Sequence, residues 1–197
     1  RRLFGEARMC RVAAYVGDLV VRGLGVAHTH YPHIAQLDIA PLLLLKVAIA
    51  GVLCGLVSHL FIELNHAIKH AMTRIRNSAM RPVLGGFVII ALTLALNSLG
   101  ISASDYLGLG VPLALGSTQG QEVFALAFLL KLVYTAVTLG TGFLGGEVTP
   151  LFVIGATLGS SLGRWLNVDP AFMASLGFVA VFAGASNAPI ACALMGL

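Results

Sequence analysis

Two apolar runs, 41–63 and 83–99, constrain this chain more than any other feature. The first carries Lys46 near one end, where the side chain can snorkel to an interface, and the second has no ionisable residue. A helix needs about 20 apolar residues to cross the hydrocarbon core of a bilayer. Neither run shows the two-residue alternation of a half-buried strand. In lipid every backbone polar group must be bonded internally, which leaves helices and closed barrels. Of 197 residues, 58% are hydrophobic and 10% charged, where soluble domains carry roughly 25% charged residues. The reading is an all-α, polytopic membrane protein.

The charges that remain fall mostly in two clusters, Arg1/Arg2/Arg8/Arg11 and Lys69/Arg74/Arg76/Arg81. Under the positive-inside rule these mark cytoplasmic segments. The net charge of +4 gives no reason to expect nucleic acid, because no aromatic-interleaved basic patch exists. Cys10, Cys54 and Cys192 lie far apart without C-x-x-C spacing, so they read as small packing residues. No signal peptide is visible. The chain starts without Met and stops in an apolar run at Leu197, as a piece of a longer protein would.

Taken in order, a basic segment leads into an apolar stretch from Val12 to Val26. Asp18 and Arg22 sit there at i,i+4 spacing and can pair. His28, His30 and His33 could bind a metal, but Pro32 and the lack of other ligands favour a polar outside loop. The first long span opens at Pro41 and can continue through His66 and His70 to Arg76. Between Ile101 and Gln121, Gly108, Gly110 and Pro112 break the pattern, leaving a short or re-entrant helix. The run 122–139 is long enough to span, with Lys131 near its middle. Lys131 there either pairs with a carboxylate or carbonyl or serves a function. Gly155, Gly159 and Gly163 then recur every four residues, a stripe that lets helices pack closely in lipid. Arg164 and Trp165 mark an interface. A last apolar helix, 171–183, is interrupted at Gly184–Pro189, with Asn187 as a capping residue before a new helix.

The stretch Gly142–Pro150 is where chemistry enters. It places Glu147 among glycines between apolar runs, and an ionisable residue at such a depth points to function. Proline suits the first helical turn and Thr149 suits the N-cap before it. The glycines let the chain turn and let a ligand approach the backbone. The expected product is a helix N-terminus whose free N–H groups and dipole favour an anion. The plainer alternative is that Glu147 caps its own helix. A continuous helix through Gly145 and Gly146 would exclude the site.

The segment Gly145-Gly146-Glu147-Val148-Thr149-Pro150-Leu151-Phe152 resembles the G-x-F-x-P segment of the CLC chloride channels and transporters. The surroundings agree: Lys131 to Leu139 before it, the glycine stripe after it, and Asn187-Ala188-Pro189 beyond. The resemblance implies a CLC-like half with broken and re-entrant helices of unequal length. It is similar to the second of two inverted repeats, a single partial transmembrane domain over 1–197 that lacks its C-terminal end and the first repeat. In that family the backbone amides of this segment hold an anion near the bilayer midplane. Here they would be those of Glu147 and Val148, flanked by Gly146 and Thr149, with Gly145, Pro150 and Lys131 in support.

Most of the family carries apolar residues where this chain has Glu147 and Val148. The variant G-G-E-V-T-P is similar to the branch that exchanges fluoride for protons, where the Glu and Thr belong to the site. Replacing the water of a small, strongly hydrated ion requires close, strong donors. The Thr149 hydroxyl qualifies, and a protonated Glu147 would. The family's alternative cargo is chloride, carried by a channel or a proton antiporter. The G-[KR]-E-G-P segment and the pore tyrosine of the family do not occur here. The resemblance further implies a homodimer in a bacterial inner membrane, no cofactor, and protons and a small anion as partners. Because transporter sites of this kind form between repeats, this stretch alone is not expected to transport.

Enzymatic readings fare poorly. There is no H-E-x-x-H for a zinc protease, and Ser186 has no paired base. Paired intramembrane aspartates are absent too, Asp18 being near one end and Asp105 in a loop. A purely structural subunit would have no use for Glu147 at a broken helix.

Overall fold

The computed structural model describes residues 2–25 and 40–195, and all regular structure among them is helical. The three histidines at 28, 30 and 33 lie outside the described residues. Contacts divide the chain into two units, 1–31 and 32–197. The first contains α1 (Arg2–Gly23), on which Arg22 Nε donates to Asp18 Oδ2 at 2.9 Å, the i,i+4 pair that the sequence allows. Val12, Tyr15, Val16, Leu19 and Val20 of this helix are exposed.

The second unit begins with α2 (Pro41–Thr73) and α3 (Met80–Ser98). Pro41 opens α2 in the first turn, where its missing N–H removes nothing. At 33 residues α2 is about 50 Å long, well beyond a hydrocarbon core of about 30 Å. Its exposed residues include Leu42, Leu45, Ile49, Val52 and Leu56, and those of α3 include Phe87, Ile90 and Leu94. Faces this apolar are the surfaces of membrane-spanning helices.

A 3₁₀ turn (Ala103–Tyr106) and the short helix α4 (Val111–Thr118) follow, so the broken region contains one 8-residue helix that cannot span. Then come α5 (Ala127–Gly140), α6 (Val148–Trp165), α7 (Pro170–Ser186) and α8 (Pro189–Met195). The expectation of a full span over 122–139 is corrected. Gly120 has φ +73° and Gln121 N–H bonds back to Gly116 O, which turns the chain. Residues 121–124 have no regular structure, and α5 is 14 residues long, about 21 Å. Lys131 therefore lies near the start of α5, not its middle. Asn187 is also corrected: it ends α7 as a left-handed C-cap (φ 52°, ψ 35°) and does not cap the next helix's start.

The core is built around α6. From Pro150 to Gly163 every residue except Phe152 is buried. Gly155 and Gly159 meet the backbone of Gly177 and Met173 on α7, and Gly163 meets Pro170. Lipid tails provide no hydrophobic drive between helices, so this close packing and hydrogen bonds between helices hold α6 in place. Ser58 of α2 donates to Val181 O of α7 at 2.8 Å, and Ser161 of α6 donates to Ala125 O at 3.2 Å. Leu132, Leu139, Ile154, Leu158 and Met173 complete the apolar centre with Cys54 and Phe61 of α2. The effect is an α6 held by its neighbours from Pro150 onward, with the residues that start it left exposed.

Candidate anion site at the N-terminus of α6

Between α5 and α6 the helical path breaks. The Thr141 hydroxyl bonds back to Val137 O at 2.8 Å, and Phe143 N–H reaches Thr138 O at 3.3 Å. Gly142 then takes φ +98°, a conformation that a β-carbon would strain. Leu144, Gly145 and Gly146 are exposed and irregular. The chain re-enters a helix with Glu147 at the N-cap, so the start is two residues earlier than Thr149 would set it. Thr149 occupies the second helical position and Pro150 the third, where proline's ring is tolerated in the first turn.

The consequences are local and chemical. Leu151 is the first helical residue whose N–H bonds back, to Glu147 O at 3.2 Å. Among the described residues the N–H groups of Glu147, Val148 and Thr149 have no backbone acceptor outside the helix. An α-helix leaves its first N–H groups unpaired, and the dipole adds partial positive charge there. The Glu147 side chain makes no cap bond, so the plain capping role is not what it performs in this structure. A β-carbon on Gly146 would meet nothing within 4 Å, so open space adjoins these amides.

Two cavities share this stretch. Glu147 and Val148 line one of about 250 Å³, together with Asn65, His66 and Lys69 of α2 and Ser186 of α7. Gly145, Gly146 and Pro150 line another of about 230 Å³, with Lys131, Thr135 and Thr138 of α5. Lys131 is 1% exposed and donates to Tyr106 O at 3.0 Å and Gly108 O at 2.7 Å. Its partners are thus carbonyls, and it ties the broken region to α5 beside the glycines. Thr149 is half-buried and lines neither cavity. A larger cavity of about 910 Å³ lies among residues 100–124, where Asp105 and Glu122 give it the wrong sign for an anion.

Asn65, Lys69 and Ser186 were not legible as site residues from the sequence. Asn65 and Lys69 stand one turn apart near the polar end of a long apolar span, a spacing that could have found them. Ser186 reaches the site through the fold alone.

Residues 4–197 match the family described as "Voltage gated chloride channel". The chain belongs to the CLC family. A "Chloride/fluoride channel protein" of Pseudomonas syringae pv. tomato is 42% identical over 190 residues, covering 95% of this chain and 42% of that protein. A "Putative chloride channel protein ClcB-like" of Ralstonia nicotianae is 26% identical, covering 93% and 44%. The crystal structure of a CLC-type fluoride/proton antiporter superposes with a TM-score of 0.85 at 31% identity, covering 93% of this chain and 46% of that one. This chain therefore spans less than half the length of the curated relatives it matches. The broken helices are those of an established membrane family, and the all-helical reading agrees with it.

Proposed function

We propose that this chain forms one half of an anion transporter that exchanges fluoride for protons, as the second inverted repeat of a CLC fold. The anion sits at the α6 N-terminus, held by the amides of Glu147 and Val148, with Gly146 and Thr149 beside it. Gly145 and Pro150 shape the backbone around it, and Lys131 fixes the adjoining segment. The observation that carries this reading is Glu147 at the N-cap with its carboxyl free of the helix it begins. A charged carboxylate beside free N–H groups would repel an anion, while a protonated one would donate to it. The anion and the proton are thereby linked at one residue.

Fluoride is favoured over chloride by the side chains. Helix-terminal N–H groups accept any small anion, so selectivity falls to Thr149 and Glu147. The Thr149 hydroxyl has no hydrogen-bond partner among the described residues and is available to a compact, basic ion. Two relatives, one by sequence and one by structure, carry fluoride in their descriptions. The remaining half of the pore, the homodimer and the bacterial inner membrane belong to the same proposal.

The test is efflux from liposomes containing the full-length protein and loaded with fluoride or chloride, with internal pH followed. Fluoride should leave faster and carry protons the opposite way. Equal or faster chloride efflux would favour the chloride reading, which the Ralstonia relative's description supports for itself.

A further inference from the structure

The cavity that Glu147 shares with α2 carries more polar groups than an anion held by backbone amides requires. Asn65 is 6% exposed, and its Oδ1 has no hydrogen-bond partner. A buried amide oxygen left unpaired is unfavourable, and the usual remedy at a polar, roomy site is an ordered water. The cavity of about 250 Å³ has room for several, and Asn65, His66, Lys69, Glu147 and Ser186 all line it. Water there would reach the Glu147 carboxyl from the α2 side.

A second observation is independent of that cavity. His59, Glu63, His66 and His70 follow one another on α2 at steps of four, three and four residues. On a helix these steps keep all four within about 60° of one face. All four are exposed in this chain, although the same helix presents Leu56 and Leu60 to its surroundings. Because α2 is longer than a hydrocarbon core requires, its last turns extend past that core, where exposed imidazole and carboxyl groups can exchange protons with water. The stripe runs toward the basic end of α2, where Lys69, Arg74, Arg76 and Arg81 lie, and His66 is the member that also lines the Glu147 cavity.

We propose that His66 delivers protons from the aqueous space at the basic end of α2 to Glu147, through water held by Asn65. This rests on the antiport reading above. The imidazolium gives its N–H proton to the bridging water as that water gives one to a carboxylate oxygen of Glu147. The imidazole is left neutral and recovers a proton from water on the exposed side, directly or by way of His70. Imidazole is suited to this task because it changes charge near neutral pH. The charged or titratable groups at this cavity are His66 and Lys69 from α2 and Glu147 from α6. Glu63 and His70 flank them on α2, and α7 contributes none. Asn65 acts as a positioning residue, orienting the water without exchanging a proton itself.

The experiment uses the full-length protein in liposomes, with fluoride efflux followed by electrode and internal pH by a trapped dye. The wild type is compared with His66→Ala, His66→Gln and Asn65→Leu. The expected result is at least a tenfold fall in protons moved per fluoride for each variant, with millimolar imidazole restoring His66→Ala on that face only. Calorimetric fluoride binding by the same samples reports whether each variant is folded, and His66→Gln serves if His66→Ala is not. Wild-type proton coupling in either His66 variant overturns the relay and leaves the antiport reading intact. Fluoride movement without proton movement in the wild type overturns both.

Discussion

The backbone at Gly155 lies so close to the carbonyl oxygen of Gly177 that a β-carbon there would overlap it. This contact and its neighbour at Gly159 let α6 and α7 meet backbone to backbone, which sets the depth and direction of the α6 N-terminus. Gly155→Ala must push α7 away or bend α6. Overpacking of this kind typically costs 1–3 kcal/mol. We expect a clear fall in the thermal unfolding midpoint followed by size-exclusion fluorescence. Gly51→Ala, where the new methyl group meets nothing within 4 Å, should match or exceed the wild type.

Lys131 gives a second prediction. Its ammonium bonds two carbonyls of the broken region, Tyr106 O and Gly108 O. Lys131→Met fills similar space but leaves both oxygens without that donor, at about 1–3 kcal/mol each when buried. The expected outcome is a lower unfolding midpoint together with weaker fluoride binding, because the same cavity is lined by Gly145 and Gly146. A variant as stable as the wild type would show that Lys131 is dispensable to the broken region.

Glu147→Gln separates binding from coupling. Glutamine keeps a donor next to the α6 amides but takes up no proton. Fluoride binding measured by calorimetry should persist, and proton movement measured in liposomes should vanish. Proton exchange at the wild-type ratio in this variant would move the coupling role to another residue.

How much of this was legible in the sequence depends on the kind of signal. Apolar runs report length and membrane class well, so α2, α3 and the glycine-striped α6 lie close to where the residues put them. The Gly142–Pro150 break was also visible, because glycine and proline act on the backbone within a few residues. The helix start was missed by two residues: Thr149 is a good capping type, but the helix already begins at Val148, which puts Glu147 at the N-cap and Pro150 at the third position, still within the first turn that proline tolerates. The start of α5 was missed for the opposite reason. Residues 122–126 are apolar enough for a helix, yet the turn at Gly120 sends them along an irregular path. Contacts across the fold left less trace. The cavity joining Asn65 and Lys69 to Glu147 depends on α2, α6 and α7 meeting, which no local pattern announces.

The central claim is that backbone N–H groups at the start of α6 hold the anion, and removing one N–H tests it most directly. Replacing Val148 by its α-hydroxy acid turns that amide into an ester, deleting the donor while keeping every side chain. A hydrogen bond to a charged partner contributes roughly 1.5–3 kcal/mol, or about ten- to a hundredfold in affinity. The account predicts a fall of that size in calorimetric fluoride affinity for the full-length protein, with the unfolding midpoint little changed. An ester variant that binds fluoride as tightly as the wild type would contradict it.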